Sequence, residues 1–342
     1  MFLLLNTKTI RLVIFSFVFF RCLITAFAQE ESLPVLPQNA VDAERDLNAI
    51  LLGMKHYNAI IRSGEGECTY SFEQAGMPDA HITWKAHLTF NRHQTRMDFE
   101  ESISSTNEHW SKTTFIVTET GTWQTIYHGT GKQSYYFRTE AGLDPLRIWV
   151  DPRRWLHVID QQDLPTYLKE RNFHIATAEL LNDIPCYVLE ANKDLELSSN
   201  QQKDSFERFW ISPERGLHYV KYENRFLRKR DSSDGKIKKG TPSVRRVTLS
   251  YELHAEDVWF VKSGVSESFW IDPDGEEHLI SRTKIETHNF RVNHDPLPEI
   301  FTLDLPNNAK IQVEELGKKL SKKEFRQWYG EIDLNDIKLI KE

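Results

Sequence analysis

The chain has 342 residues, with 43 Lys and Arg against 50 Asp and Glu, and a formal net charge of -7 at pH 7. That balance repels phosphate backbones and argues against nucleic-acid binding. It opens with two cations, Lys8 and Arg11, then an apolar run from Leu12 to Phe20, and then Ala26-Phe27-Ala28. These are the basic, apolar and A-x-A parts of a secretory signal cut after Ala28. Arg21 stops the apolar run after nine residues, well short of the ~20 that a membrane-spanning helix needs. The bulky Phe19-Phe20-Arg21 before Cys22 does not fit a lipobox. Cleavage removes Lys8, Arg11 and Arg21 and no acid, so 43 basic residues become 40 against 50 acidic ones. The expectation is a periplasmic, unanchored mature chain, with residues 29–41 as a flexible N-terminus.

Residues 42–57 place Leu47, Ile50, Leu51, Met54 and Tyr57 on one stripe at helical spacing, with Asp42, Glu44 and Asp46 near the start where the helix dipole favours acids. From Ile82 to Asn91 the period changes to two. Ile82, Trp84, Ala86, Leu88 and Phe90 alternate with Thr83, Lys85, His87, Thr89 and Asn91, which predicts a strand with one apolar and one wet face. Hairpin patterns follow at 123–138, 206–226 and 244–292, with turns at Ser212-Pro213-Glu214-Arg215-Gly216 and Asp272-Pro273-Asp274-Gly275. Between 142 and 183 the strand pattern lapses, and a helix-like Leu164–Lys169 segment suggests an insertion that covers the sheet. Residues 228–242 read as a charged hairpin tip and 314–342 as a charged tail or helix. About ten or eleven strands are expected, with no βαβ alternation.

No constellation of catalytic spacing emerges. HExxH, GxSxG, P-loop and GxGxxG patterns are absent from the sequence. His81, His87 and His93 share a parity but span about 20 Å of strand, too far for one metal ion. Ser233-Asp234-Gly235-Lys236 matches S-x-x-K only in letters, and Asp272 with Asp274 fits turn chemistry. The reading is therefore of a non-enzyme with no metal and no cofactor. After cleavage Cys68 and Cys186 remain; in an oxidising compartment they can pair, or each can stay a buried thiol. Aromatics make up 12% of the chain, nine of them Trp. A single amphipathic helix cannot cover that much apolar surface, and the surplus is what a hydrophobic ligand cavity looks like.

This order of parts resembles the periplasmic lipoprotein-carrier family, LolA-like with the related LolB and RseB domains. The resemblance rests on the helix leading into the first strand, the antiparallel meander, and Asp151-Pro152-Arg153-Arg154-Trp155. Two further motifs carry it: Phe209-Trp210-Ile211-Ser212-Pro213-Glu214-Arg215-Gly216-Leu217 and Phe301-Thr302-Leu303-Asp304-Leu305-Pro306-Asn307-Asn308-Ala309-Lys310. It implies an incomplete antiparallel β-barrel over residues 42–313, closed on one side by helices around an apolar cavity for lipid or lipoprotein acyl chains. Leu51, Met54, Trp84, Leu88 and Phe90 are the expected lining. The chain is longer than a typical carrier, and it carries Asn307-Asn308 and the charged 228–242 tip where the family does not. A monomer is expected, either a carrier or a sensor that reports ligand occupancy to a membrane-protein partner. A hydrolase assembled from distant residues is the third reading; it requires a buried Ser or Asp beside a histidine.

Overall fold

The computed structural model describes residues 40–103, 111–118, 121–127, 133–138, 151–159, 162–192, 205–232, 237–254, 257–303, 305–313 and 316–329. The signal segment, most of the mature N-terminus, the 128–132 turn and the Ser233–Lys236 match lie outside the described residues.

A first helix, α1 (Ala40–Ile60), leads into β1 (Gly64–Gln74), β2 (Met77–Phe90), β3 (Thr95–Ile103), β4 (Ser111–Thr118), β5 (Gly121–Tyr127) and β6 (Gln133–Arg138). Next come α2 (Pro152–His157), a small two-stranded pair of β7 (Val158–Ile159) and β8 (Gln162–Asp163), and α3 (Leu164–Glu170). The chain then returns to strands: β9 (His174–Leu181), β10 (Ile184–Asn192), β11 (Phe206–Ser212), β12 (His218–Leu227), β13 (Pro242–His254), β14 (Val258–Ile271) and β15 (Glu277–Val292). After the short 3-10 turn Pro298–Phe301 the C-terminal part forms β16 (Lys310–Val313), β17 (Lys318–Ser321) and α4 (Lys322–Tyr329).

Fifteen of these strands make one open sheet in the order β17-β16-β6-β5-β4-β3-β2-β1-β15-β14-β13-β12-β11-β10-β9. All its pairings are antiparallel except β16 with β6, where the chain crosses to the far edge of the sheet. This is the incomplete barrel that the resemblance implies. Among the described residues there are more strands than the expected ten or eleven. The excess comes from β3, whose Arg96, Asp98 and Glu100 crowd one parity with charge, from β4, rich in Ser and Thr, from β9 (HIATAELL), whose Ala, Glu and Leu lack β-propensity, and from short edge strands. The sheet also continues past residue 313: β17 pairs with β16, and Phe325 of α4 is buried.

The two faces of the sheet differ sharply. On one face, cross-strand partners run Ile175-Leu189-Phe209-Tyr222-Val247 and Leu249-Gly264-Ile285-Tyr70-Trp84. On the other, direct partners alternate in charge over seven adjacent strands: Glu190, Arg208, Glu223, Arg246, Glu267, Arg282 and Glu73. Ion pairs of 2.6 Å (Arg208 to Glu190), 3.4 Å (Arg246 to Glu223) and 2.8 Å (Arg282 to Glu267) link this ladder. Such alternation fixes register, because a slip of one residue turns every side chain to the opposite face. The opposite face is not uniformly polar. A third cluster of Trp123, Phe137, Ile311 and Phe301 is covered there by α4, and a small one gathers Cys186, Val188, Trp210 and Val220.

Candidate functional site

Three helices lie against the apolar face. Helix α1 contributes Ile50, Leu51 and Met54 to a cluster shared with α3 and strands β9 to β13. Helix α3 begins at Asp163, whose carboxylate accepts a hydrogen bond from the Thr166 amide at 3.0 Å, with Pro165 in the first turn. These are ordinary start signals, and they aim Leu164, Tyr167 and Leu168 into the same cluster. Helix α2 covers the adjoining part of the face. Its Leu156 packs with Tyr70, Leu88, Phe90 and Met97, and Trp155 touches both clusters. Gly264 of β14 makes room for Trp155: a Cβ there would stand 2.8 Å from the indole. A glycine inside a strand commonly marks such a close approach.

The five residues expected to line a cavity therefore share one face of the sheet but fall in two clusters. Leu51 and Met54 of α1 pack in one cluster with α3; Trp84, Leu88 and Phe90 pack in the other, with Leu156 of α2. Leu88 and Phe90 are fully packed, and Trp84 is half-buried, its ring 5.0 Å from that of Tyr70. Where the sequence suggests a ligand space, this structure has interlocked side chains, and α1 and α3 close over them as a lid.

Between the lid helices runs a cleft of about 700 Å³, lined by Leu51, Leu52 and Lys55 of α1 and by Pro165, Thr166 and Lys169 of α3, among others. Leu52 is 71% exposed there. A larger concavity of about 1070 Å³ lies over strands β1 to β4 and β15, and its walls include Glu67, Lys85, His87, Asp98 and Lys112.

Two buried polar groups, not foreseen from the sequence, hold the helices down. Glu207 of β11 is fully buried on the apolar face, and its Oε1 accepts hydrogen bonds from Tyr167 (2.5 Å) and Tyr222 (2.7 Å). Arg171, just after α3, sits 3.9 Å from Glu207 Oε2 and stacks on the Tyr167 ring. Burial pushes the Tyr222 hydroxyl far above its ordinary pKa, with Glu207 adding to the effect, so it remains a donor. At the start of α2, Arg153 forms a buried pair with Asp151 (2.5 Å), donates to Thr95 Oγ1 at 2.8 Å, and lies 3.9 Å over the Phe90 ring. The sequence offered one cue to Glu207: it is the lone charge on the Glu207-Phe209-Ile211 parity of β11.

Other clusters have their own chemistry. Ser212 and His218 are direct partners across the β11 to β12 turn and both are buried. The Ser212 hydroxyl makes no hydrogen bond, so His218 does not activate it as the hydrolase reading requires. His218 is stacked on Tyr251 at 5.4 Å, and burial holds its pKa down at about 4. Gly216, in the left-handed conformation at φ +68°, ends the turn where an added Cβ would stand 3.0 Å from the Tyr57 ring of α1, so both its backbone and its surroundings favour glycine. At the β14 to β15 turn, ligand atoms of Asp272, Glu276 and His278 lie within 4.8 Å of one another. Asp272 accepts from His278 and from the amides of Asp274 and Glu276, which holds its carboxyl below the usual range and accounts for the grouping as turn chemistry. Cys68 and Cys186 are free, buried thiols. They lie on opposite faces, six interstrand steps apart. At about 4.8 Å per step the pairing weighed from the sequence does not form; a disulfide needs Cα atoms within about 7 Å.

No family model matches the sequence, and no curated protein matches it. Among solved structures the chain is similar to a LolA superfamily protein from Nitrosomonas europaea, with 11% identity over 75% of this chain and 97% of that one, at a TM-score of 0.37. It is similar to the Mycobacterium tuberculosis lipoprotein LppX, with 7% identity over 75% and 98%, at 0.23. MucB, in its complex with MucA(peri), gives 10% identity over 73% and 100%, at 0.23. These are likenesses of fold. The open antiparallel sheet with helices on its apolar face is itself the incomplete-barrel class expected in the sequence analysis. Among the described residues no helix is long and apolar enough to cross a membrane.

Proposed function

We propose that the protein is a non-enzymatic periplasmic binding protein that holds a lipid or the acyl chains of a lipoprotein against the apolar face of its half-barrel, beneath α1 and α3. The observation that carries this reading is the asymmetry of the sheet. One face continues its apolar rows beyond what its strands bury among themselves and closes them with three helices; the other, over the same strands, carries a ladder of alternating charge.

Such a protein needs no reacting group. Each acyl CH₂ transferred from water gains about 0.8 kcal/mol. The lid helices must shift to admit a chain, because Leu51, Met54 and Tyr167 are packed into the space it would take. The polar latches at Glu207 and Asp151 limit that motion without forbidding it. In the alternative reading, a sensor, the hairpin tip between β12 and β13 contacts a membrane-protein partner. That tip is braced by its own bonds, Lys239 N to Asp231 Oδ1 (2.7 Å) among them.

Native mass spectrometry of the protein from a periplasmic extract, followed by organic extraction, tests the proposal. A co-purifying acyl lipid supports it. A clean apo mass, together with no uptake of a fluorescent fatty acid, overturns it. Loss of partner capture on deleting residues 228–242, with lipid uptake unchanged, would favour the sensor role.

A further inference from the structure

From the cleft between α1 and α3 we infer the chemical class of the ligand: an acyl chain that ends in an anionic head, carboxylate or phosphate. This rests on the binding role proposed above and adds a polarity to it. The cleft lies directly over the apolar cluster, with Leu51 and Pro165 at its floor and the exposed Leu52 on its rim. Two lysines, Lys55 from one helix and Lys169 from the other, line the same opening, and both are exposed. Among the described residues neither side chain has an ion-pair or hydrogen-bond partner. The cleft also holds one carboxylate, Glu170, which accepts a hydrogen bond from Gln162 Nε2 at 2.9 Å.

Two cations against one carboxylate thus stand at an apolar opening of a chain whose net charge is -7. Lys169 also sits in the last turn of α3, where a cation suits the helix dipole. Lys55, five residues before the end of α1, is left without that reason. An amphiphile whose chain passes between the helices would leave its head at the level of both ammonium groups, where partial exclusion of water strengthens the attraction.

The test compares 11-(dansylamino)undecanoic acid with its methyl ester on the purified protein and on a Lys55→Gln/Lys169→Gln double variant. Lysophosphatidic acid serves as competitor, to separate phosphate from carboxylate heads. The charged probe is expected to bind more tightly than the ester by about threefold to tenfold, the range of one or two partly exposed ion pairs. Added salt should erode that preference. The double variant should lose it while keeping its affinity for the ester. Equal affinity for acid and ester, or a preference that survives in the double variant, overturns the inference and leaves the apolar site standing. Failure of both probes to bind overturns the inference together with the binding role on which it rests. Displacement of the dansyl probe by lysophosphatidic acid at lower concentration than by laurate would assign the head as phosphate; the reverse order would assign it as carboxylate.

Discussion

The hydroxyl of Tyr167 donates a 2.5 Å hydrogen bond to Oε1 of Glu207, and this bond ties the lid helix α3 to the strand beneath it. Both residues are buried, so the bond is sheltered from water. A Tyr167→Phe change keeps the ring contacts with Phe173 and Phe209 and removes only the donor. The expected cost is about 1–3 kcal/mol, the penalty for a buried carboxylate that loses a partner, measured by urea denaturation. Amide exchange in α3 should quicken more than in β11, because the helix loses an anchor while the strand keeps its ladder. If the variant takes up a fluorescent fatty acid faster than the native protein, the bond is a latch on the binding face as well as a stabilising contact.

The charge ladder leads to a different kind of test. An isolated pair such as Glu267 with Arg282 would recover its energy when the two charges are exchanged. Here each member faces opposite charges on both sides: Glu267 lies between Arg246 and Arg282, and Arg282 between Glu267 and Glu73. The exchange Glu267→Arg/Arg282→Glu keeps their mutual attraction but sets like charges against Arg246 and Glu73. The doubly exchanged protein should be no more stable than either single reversal, with each losing about 1 kcal/mol at low salt and less as salt screens these partly exposed groups. Thermal melts at two salt concentrations measure this.

How much of this was legible in the sequence follows from the kind of signal each part leaves. The α1 stripe and the unbroken alternation of β2 are local patterns, and both stand where they were expected. The pairing of β16 beside β6 leaves no local trace, since it joins strands far apart in the chain. Trp84, Leu88 and Phe90 share one face because strand parity dictates it, and Leu51 and Met54 reach that face from the stripe of α1. Their division between an α3 cluster and an α2 cluster depends on Trp155, whose seat needs Gly264 more than a hundred residues away. The anchors at Glu207 and Arg153 escaped for the same reason. Charged residues read as solvent-facing until their partners, Tyr167, Tyr222 and Thr95, are known.

His218 predicts a pH dependence with a definite sign. Burial lowers its pKa from 6.5 to about 4 in the folded protein, whereas in the unfolded chain it takes up a proton near its ordinary value. Above pH 6.5 the imidazole is neutral in both states, and its contribution to stability is complete. Between pH 6.5 and about 4 the unfolded chain binds the proton and the folded one does not, so stability falls as pH is lowered, by up to roughly 3 kcal/mol in all. A His218→Phe variant, which can keep the stack on Tyr251, should show a shallower decline in Tm through that window. Equal slopes in the two proteins would mean that other groups dominate acid unfolding.

Cys68 and Cys186 allow a chemical check on the packing of both faces. Cys68 is buried in the apolar-face cluster, and burial, reinforced by Asp151, raises its pKa well above the ordinary value. Cys186 lies on the other face, where its thiol donates to the Ile184 carbonyl oxygen at 3.3 Å and burial pushes its pKa up to about 12. A thiol must ionise and be reached before it reacts, so both should resist 5,5′-dithiobis(2-nitrobenzoate) in the native protein. In denaturant without reductant both should react promptly, adding two thiols to the count of the native protein. Zero thiols under those conditions would show that the cysteines are joined after all, which would require the β1 and β10 regions to sit far closer than the sheet order allows. A single fast-reacting thiol in the native state, lost in Cys68→Ser and kept in Cys186→Ser, would instead mean that the α2 cover opens readily over the apolar face.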